Sequence, residues 1–203
     1  MSSSLFAGAP ERLIRCRVVA MNEERACAFA KAKDGATAMQ ITSFKDMYIA
    51  ELQELASMER QMGEALLRMS SVASHPSLKD ALERHREQTR TQMDRLEQVL
   101  RNHGSSPYIH TDQAVEALVA ETEKMLKLVK GNDLRDAALI ASAQKLEHYE
   151  MAAYGTAAAL AGQLELRDDQ RMLHESLEEE RQTDALLTTL AKGEVNQDAL
   201  LTA

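Results

Sequence analysis

Apolar side chains recur at alternating intervals of three and four residues along most of the chain, beginning near Thr42. This spacing gathers them on one face of an α-helix, so it predicts amphipathic helices rather than strands. Glycine, proline and short polar runs divide the pattern into four long segments and one short one. The long helices are predicted at about 43–71, 78–103, 132–162 and 168–192, and the short helix at about 112–130.

Residues that favour helix ends lie at the boundaries of these segments. Thr111 or Asp112 is predicted to cap the short helix, and Asn132 or Asp133 to cap the third long helix. Gly193 is predicted to end the fourth.

The connections between the helices predict how they are arranged. The first and second long helices are separated by only a few residues, as are the third and fourth, so each pair is expected to form an antiparallel hairpin. About 30 residues, including the short helix, separate the two hairpins, enough to cross the full length of a bundle. The fold class is therefore all-α: a ferritin-like four-helix bundle whose long crossover contains a short fifth helix.

Ionisable side chains interrupt the apolar stripe of every long helix near its middle. The stripe of the first helix, for example, reads Leu52, Leu55, Glu59, Met62, Leu66, Met69. The interrupting residues lie 11 to 17 positions from the nearer hairpin turn, which places them within roughly 10 Å along the bundle axis. They are Glu59, His85, Glu147, Glu150 and Glu180.

Burying several carboxylates together is untenable unless cations or protons neutralise them. Four glutamates and a histidine from four helices have the composition of a dinuclear iron or manganese carboxylate site. Zinc is an alternative metal, although closed structural zinc sites more often use thiolates. Taken singly, each glutamate could instead lie at the rim, and His85 could be a hydrogen-bonded core histidine.

Three residues close to these positions in the sequence have more than one possible role. His148 follows Glu147 and points about 100° away from it, so it is expected to face outward or to support a ligand. Asp184 could be a ligand, a partner of a ligand or an ion-pairing acid. Tyr154 could hydrogen-bond a ligand carboxylate, although packing of its ring is the expectation.

Composition narrows the class of protein. The 203 residues include 8 glycines, 3 prolines and no tryptophan, which favours helices over a β-sandwich or barrel. The net charge of −8 does not indicate the basic surface that nucleic-acid binding requires. Two cysteines cannot build a disulfide scaffold, and no stretch approaches the roughly 20 apolar residues of a membrane span. A cytoplasmic protein is expected.

The first 38 residues differ from the rest, since they contain both cysteines and lack the helical pattern. They are predicted to be a loosely ordered extension, and Met39 offers an alternative start. The bundle domain is predicted over residues 39–203.

Short motifs in the third and fourth long helices resemble a known family. The run Glu147-His148-Tyr149-Glu150 is followed by Tyr154-Gly155-Thr156, and three glutamates end at Glu180. Over roughly residues 40–192 the chain resembles the YciE/YciF family of ferritin-like bacterial stress proteins. The resemblance implies a cytoplasmic homodimer, related to rubrerythrins and manganese catalases and associated with oxidative or general stress.

Set against a rubrerythrin-type site, the resemblance implies that the five interrupting residues are the metal ligands. Two positions depart from that pattern. Leu82 stands where the second helix would supply a glutamate, and Thr183 and Asp184 stand where the fourth would supply a histidine. Two bound ions are the expectation, and these departures make one ion the alternative.

Two functions from different classes follow. The first is a stress-response protein that binds two iron or manganese ions and reacts with peroxide or oxygen, in the manner of a ferroxidase, peroxidase or catalase. The alternative is a non-catalytic helical interaction or oligomerisation module with a degenerate metal site. Iron storage in a cage is a third possibility that no assembly surface in the sequence supports.

Overall fold

A computed structural model describes residues 40–202, and the extension predicted over residues 1–38 lies outside this range. Residues 40–202 form helices joined by turns and contain no strand. The helices are α1 (Phe44–Val72), α2 (Pro76–Asn102), α3 (Gln113–Leu128), α4 (Asn132–Gln163), α5 (Arg167–Leu190) and α6 (Asn196–Leu201), with a π-helical turn at Ala191–Val195 between the last two.

The four long helices pack as the connections predict. Helix α1 packs against α2, and α4 packs against α5, each pair joined by a three-residue turn. Contacts of α1 with α4 and of α2 with α5 close the bundle. Helix α3 lies in the long crossover between α2 and α4 and packs on α4 and α1. The predicted all-α, ferritin-like bundle is confirmed.

The predicted apolar stripes form the core. On α1 every apolar member of the stripe is at most 2% exposed: Leu52, Leu55, Met62, Leu66 and Met69. These side chains belong to one continuous cluster with apolar residues of α2, α4 and α5. Burial of this stripe stabilises the bundle and sets the rotation of each helix, which decides what else faces inward.

Asp112 fixes the crossover to the bundle. Its carboxylate accepts hydrogen bonds from the backbone N–H groups at the start of α3 and from the Tyr149 hydroxyl, at 2.7 Å. Its own N–H donates to Ser57 Oγ at 2.9 Å, and Gln61 Nε2 donates to its carbonyl at 2.9 Å. The predicted cap of α3 is therefore also the residue that ties α3 to α1 and α4.

Two predicted helix ends are wrong. Gly131, not Asn132 or Asp133, is the N-cap of α4, and its φ of 90° suits a residue without a Cβ. Gly193 does not end the fourth long helix, since the chain continues through the π-helical turn into α6. The continuation buries Val195 and Ala199, so packing overrides the local stop signal.

Within residues 40–202, no helix is both long enough and apolar enough to cross a membrane.

Candidate metal centre

Four ionisable side chains from three helices meet inside the bundle. They are His85 of α2, Glu147 and Glu150 of α4, and Glu180 of α5, each at most 2% exposed. One nitrogen or oxygen atom from each lies within 4.8 Å of the others. His85 Nε2 lies 3.1 Å from Glu147 Oε1 and 3.7 Å from both Glu150 Oε2 and Glu180 Oε2. The group has the size and donor types of a metal-binding site.

Helix geometry explains the convergence. Glu147 and Glu150 are three residues apart, so both lie on the inner face of α4. Helix α5 packs against both α4 and α2, which brings Glu180 and His85 to the same height. The predicted heights of these four residues are thus met in the structure.

The fifth predicted ligand, Glu59 of α1, lies beside this group but outside the set of four. Its side chain is 1% exposed, and its Oε1 accepts a very short hydrogen bond from the Tyr154 hydroxyl. Its Oε2 has no hydrogen-bond partner among residues 40–202. Tyr154 therefore bonds a candidate ligand rather than only packing its ring, contrary to the expectation from the sequence.

The carboxylates of the centre have few hydrogen-bond partners. Among residues 40–202, six of their eight oxygens have none: Oε2 of Glu59, both oxygens of Glu147, both of Glu150 and Oε2 of Glu180. Buried polar atoms in proteins are normally paired, and an unpaired buried carboxylate is especially costly. These oxygens are available to bind cations or protons.

Burial changes the proton affinity of the centre. Loss of solvent, reinforced by the charge of Glu150, raises the pKa of Glu59 well above its usual value and that of Glu180 to about 11. Burial also raises the pKa of Glu150 to about 7, although the neighbouring imidazole of His85, with Nε2 3.7 Å from Glu150 Oε2, opposes the rise. Burial alone would lower the pKa of His85, but the carboxylates of Glu147, Glu150 and Glu180 together outweigh it and the pKa is raised. Without metal, the centre holds protons.

Gln92 of α2 also belongs to the centre, although it was not among the predicted residues. Its side chain is fully buried, and Nε2 donates one hydrogen bond to Glu180 Oε1 and a second one to Glu179 Oε2 at 3.1 Å. The sequence did contain a signal, because Gln92 continues the spacing from His85 through Thr89 to Leu96. Gln92 was not predicted to face the core because it is polar and its neighbours in the sequence are polar as well.

The remaining residues singled out in the sequence are not part of the group of four. Leu82 is buried in the apolar core, and Thr183 Oγ1 donates to the Glu179 carbonyl at 3.2 Å. Asp184 is partly exposed and pairs with the exposed His148 at 3.4 Å, so it is an ion-pairing acid rather than a core residue. The centre is therefore asymmetric, with a single histidine.

Comparisons with known proteins identify relatives of the whole bundle. A family model described as Domain of unknown function (DUF892) matches residues 43–200. Protein YciF of Escherichia coli (strain K12) is 39% identical over 162 residues, which are 79% of this chain and 98% of YciF. The crystal structure of this stress protein superposes with a TM-score of 0.73, covering 77% of this chain and 99% of that one. The structure of YcfI from Rhodopseudomonas palustris, provisionally described as a structural protein, is 32% identical and superposes with a TM-score of 0.71, covering 76% and 97%.

Proposed function

Because the chain belongs to the DUF892 family and is a homologue of the stress protein YciF, we propose that it is a stress-response protein that binds iron or manganese. The ions would be held by Glu59, His85, Glu147, Glu150 and Glu180, and would react with peroxide or oxygen. Two ions per chain are the proposed content. The proposed assembly is a homodimer, which analytical ultracentrifugation would test.

One observation carries the proposal: four buried glutamates surround one histidine, and most of their oxygens lack a hydrogen-bond partner among residues 40–202. Fully ionised, the glutamates carry four negative charges in a region of low dielectric. Two divalent cations would cancel that charge with the histidine neutral, whereas one cation would leave two charges uncompensated. Two ions, or one ion with two of the glutamates protonated, therefore balance the charge, and we propose two.

The donor types favour iron or manganese among divalent metals. Carboxylate oxygens with one imidazole nitrogen suit Fe(II), Fe(III) and Mn(II). When bound, such an ion supplies the Lewis acidity and the electrons that reduction of peroxide or oxygen requires.

The residues of the chain prepare the site for this chemistry. Glu147, Glu150 and Glu180 are fully buried, which excludes bulk water from the centre. Tyr154 and Gln92 each bond one carboxylate oxygen and hold it in place. The buried carboxylates carry protons without metal and must release them to bind an ion, so metal binding is expected to tighten as pH rises.

The proposal is tested by peroxide and oxygen consumption of protein loaded anaerobically with Fe(II) or Mn(II). Replacing Glu150 and Glu180 together by Gln removes two ligands while keeping side-chain size, and we expect the metal and the activity to be lost. A matched double variant, Glu87→Gln with Glu178→Gln, removes two exposed carboxylates and is expected to behave as wild type. Equal consumption by both double variants would contradict the proposal.

A second function is favoured by the departures at Leu82 and Thr183, which reduce the number of ligands. In this alternative the chain is a helical interaction module whose glutamates stay protonated. Addition of Fe(II) or Mn(II) would then leave the melting temperature unchanged, whereas an ion that binds only the folded state raises it.

A further inference from the structure

Gln92 lies on the face of α2 that points into the candidate centre, seven residues and about two helical turns after His85. We infer that Gln92 is a positioning residue: its amide binds Oε1 of Glu180 and so favours metal coordination by that carboxylate through Oε2. This inference rests on the proposed metal-binding function.

The orientation of the Gln92 amide follows from the charges around it. Its Nε2 faces two carboxylate oxygens, Glu180 Oε1 and Glu179 Oε2. An amide nitrogen has two hydrogens to donate, one for each oxygen, whereas the amide oxygen in that place would face two acceptors. The donating face of Gln92 is therefore directed at Glu180.

The second contact of Gln92 anchors it outside the centre. Arg95, one turn further along α2, binds Glu179 through two parallel hydrogen bonds, from Nη1 to Oε2 at 2.6 Å and from Nη2 to Oε1 at 2.9 Å. Such paired contacts fix both partners in direction as well as distance. Gln92 thus holds Glu180 against an arginine–carboxylate pair that contains no candidate ligand.

The contact with Gln92 makes Glu180 differ from Glu147 and Glu150 in how many of its oxygens are hydrogen-bonded. Oε1 of Glu180 is bound to Gln92, while its Oε2 lies 3.7 Å from His85 Nε2, within the group of four. Both oxygens of Glu147 and of Glu150 lack hydrogen-bond partners among residues 40–202. Glu180 therefore has one oxygen free of hydrogen bonds, and the two glutamates of α4 have two each.

The test is Gln92→Met, which keeps length and volume but removes both donors. The matched control is Gln53→Met, because Gln53 is also buried and donates to a backbone carbonyl, that of Ser106, at 3.2 Å. Affinity for Mn(II) is measured by titration, and infrared difference spectra on Mn(II) addition report how the carboxylates bind. Gln92→Met is expected to weaken Mn(II) binding about 10-fold or more and to shift a carboxylate band from one-oxygen to two-oxygen coordination. Gln53→Met is expected to change neither measurement.

Wild-type affinity and an unchanged carboxylate spectrum in Gln92→Met would overturn the inference. If that variant does not fold, Glu179→Ala tests the same point from a partly exposed position, because it removes the anchor of the Gln92 amide. Weaker Mn(II) binding in Glu179→Ala supports the inference, and unchanged binding overturns it. Wild-type protein that binds no Mn(II) or Fe(II) would instead contradict the proposed function itself.

Discussion

Single residues of the centre have opposite effects on the stability of the fold with and without metal. A buried carboxylate lowers the stability of the metal-free fold because it has lost its solvent, yet it is required to hold a cation. Glu150 shows this most clearly, since it is fully buried and neither oxygen has a hydrogen-bond partner among residues 40–202.

We therefore predict that Glu150→Gln stabilises the metal-free protein by about 2 kcal/mol near neutral pH and abolishes the stabilisation by metal. Urea denaturation with and without Mn(II) measures both effects. As a control, Glu178→Gln on the exposed face of α5 should change neither. A metal-free Glu150→Gln protein less stable than wild type would show that the ionised carboxylate stabilises the fold on its own.

The raised pKa values predict how stability depends on pH. Glu150, with a pKa of about 7, and Glu180, with a pKa of about 11, keep protons in the folded state that the unfolded chain releases near pH 4.5. The pKa of His85 is also raised, so it too keeps its proton longer when folded. Because the folded state binds more protons, the free energy of unfolding must fall as pH rises through this range.

Each retained proton contributes about 1.4 kcal/mol per pH unit, so the metal-free protein should lose at least about 4 kcal/mol of stability between roughly pH 5 and pH 8, and the metal-loaded protein should lose less. Urea denaturation at a series of pH values checks this. Metal-free stability that increases over the same interval would contradict the assignment of protons to the buried glutamates.

A substitution at Tyr154 tests whether its hydroxyl holds the carboxylate of Glu59 in place. Tyr154→Phe removes the hydroxyl that donates to Glu59 Oε1, and should lower metal-free stability by about 1–3 kcal/mol and weaken metal binding. Tyr149→Phe is the matched control, because its hydroxyl bonds Asp112 away from the centre. It should lower stability but leave metal affinity unchanged. Equal metal affinity in the two variants would count against a role for Tyr154 at the centre.

At the scale of single residues, the sequence predicted which candidate ligands meet but not which hydrogen bonds hold them in place. The heights of His85, Glu147, Glu150 and Glu180 followed from residue counts and the helical rise. Gln92 was missed, and the hydrogen bond of Tyr154 was given only as the alternative to ring packing, because hydrogen bonds between helices depend on rotamers and on helix rotation, which residue spacing does not specify. Whether the five predicted residues bind metal remains a prediction.

At the scale of helices and turns, local signals identified the starts of α1 and α3 but not the cap of α4, which is Gly131. Ser43 caps α1 through a capping box with Asp46, and Asp112 caps α3 as predicted. Gly193 was misread because burial of Val195 and Ala199 continues the helix beyond it. The π-helical turn at Ala191–Val195 adjusts the register between α5 and α6.

Asp112 gives a prediction at this scale. Asp112→Ala removes the cap of α3 and the acceptor of Tyr149, so it should cost about 2 kcal/mol or more, whereas loss of the exposed cap in Ser43→Ala should cost about 1 kcal/mol. Urea denaturation compares the two variants. An Asp112→Ala protein no less stable than Ser43→Ala would show that the crossover is not anchored through this residue.

At the scale of the whole molecule, the fold followed from helix lengths and loop lengths. Two short turns and one long crossover define ferritin-like connectivity, and the YciF structure has the same fold. The bundle brings one inward face of each long helix to a common centre, so charged residues at matching heights must meet. This is why a fold could be predicted together with a candidate site, while the metal and the reaction could not.

The central claim is that this bundle holds metal, and metal content per chain tests it most directly. Protein purified without affinity metals is reconstituted anaerobically with Fe(II) or Mn(II), freed of unbound metal and analysed for its elements. We predict two ions per wild-type chain and a loss of metal in Glu150→Gln. Metal at background level in the wild-type protein would contradict the claim and leave a ferritin-like fold without metal chemistry.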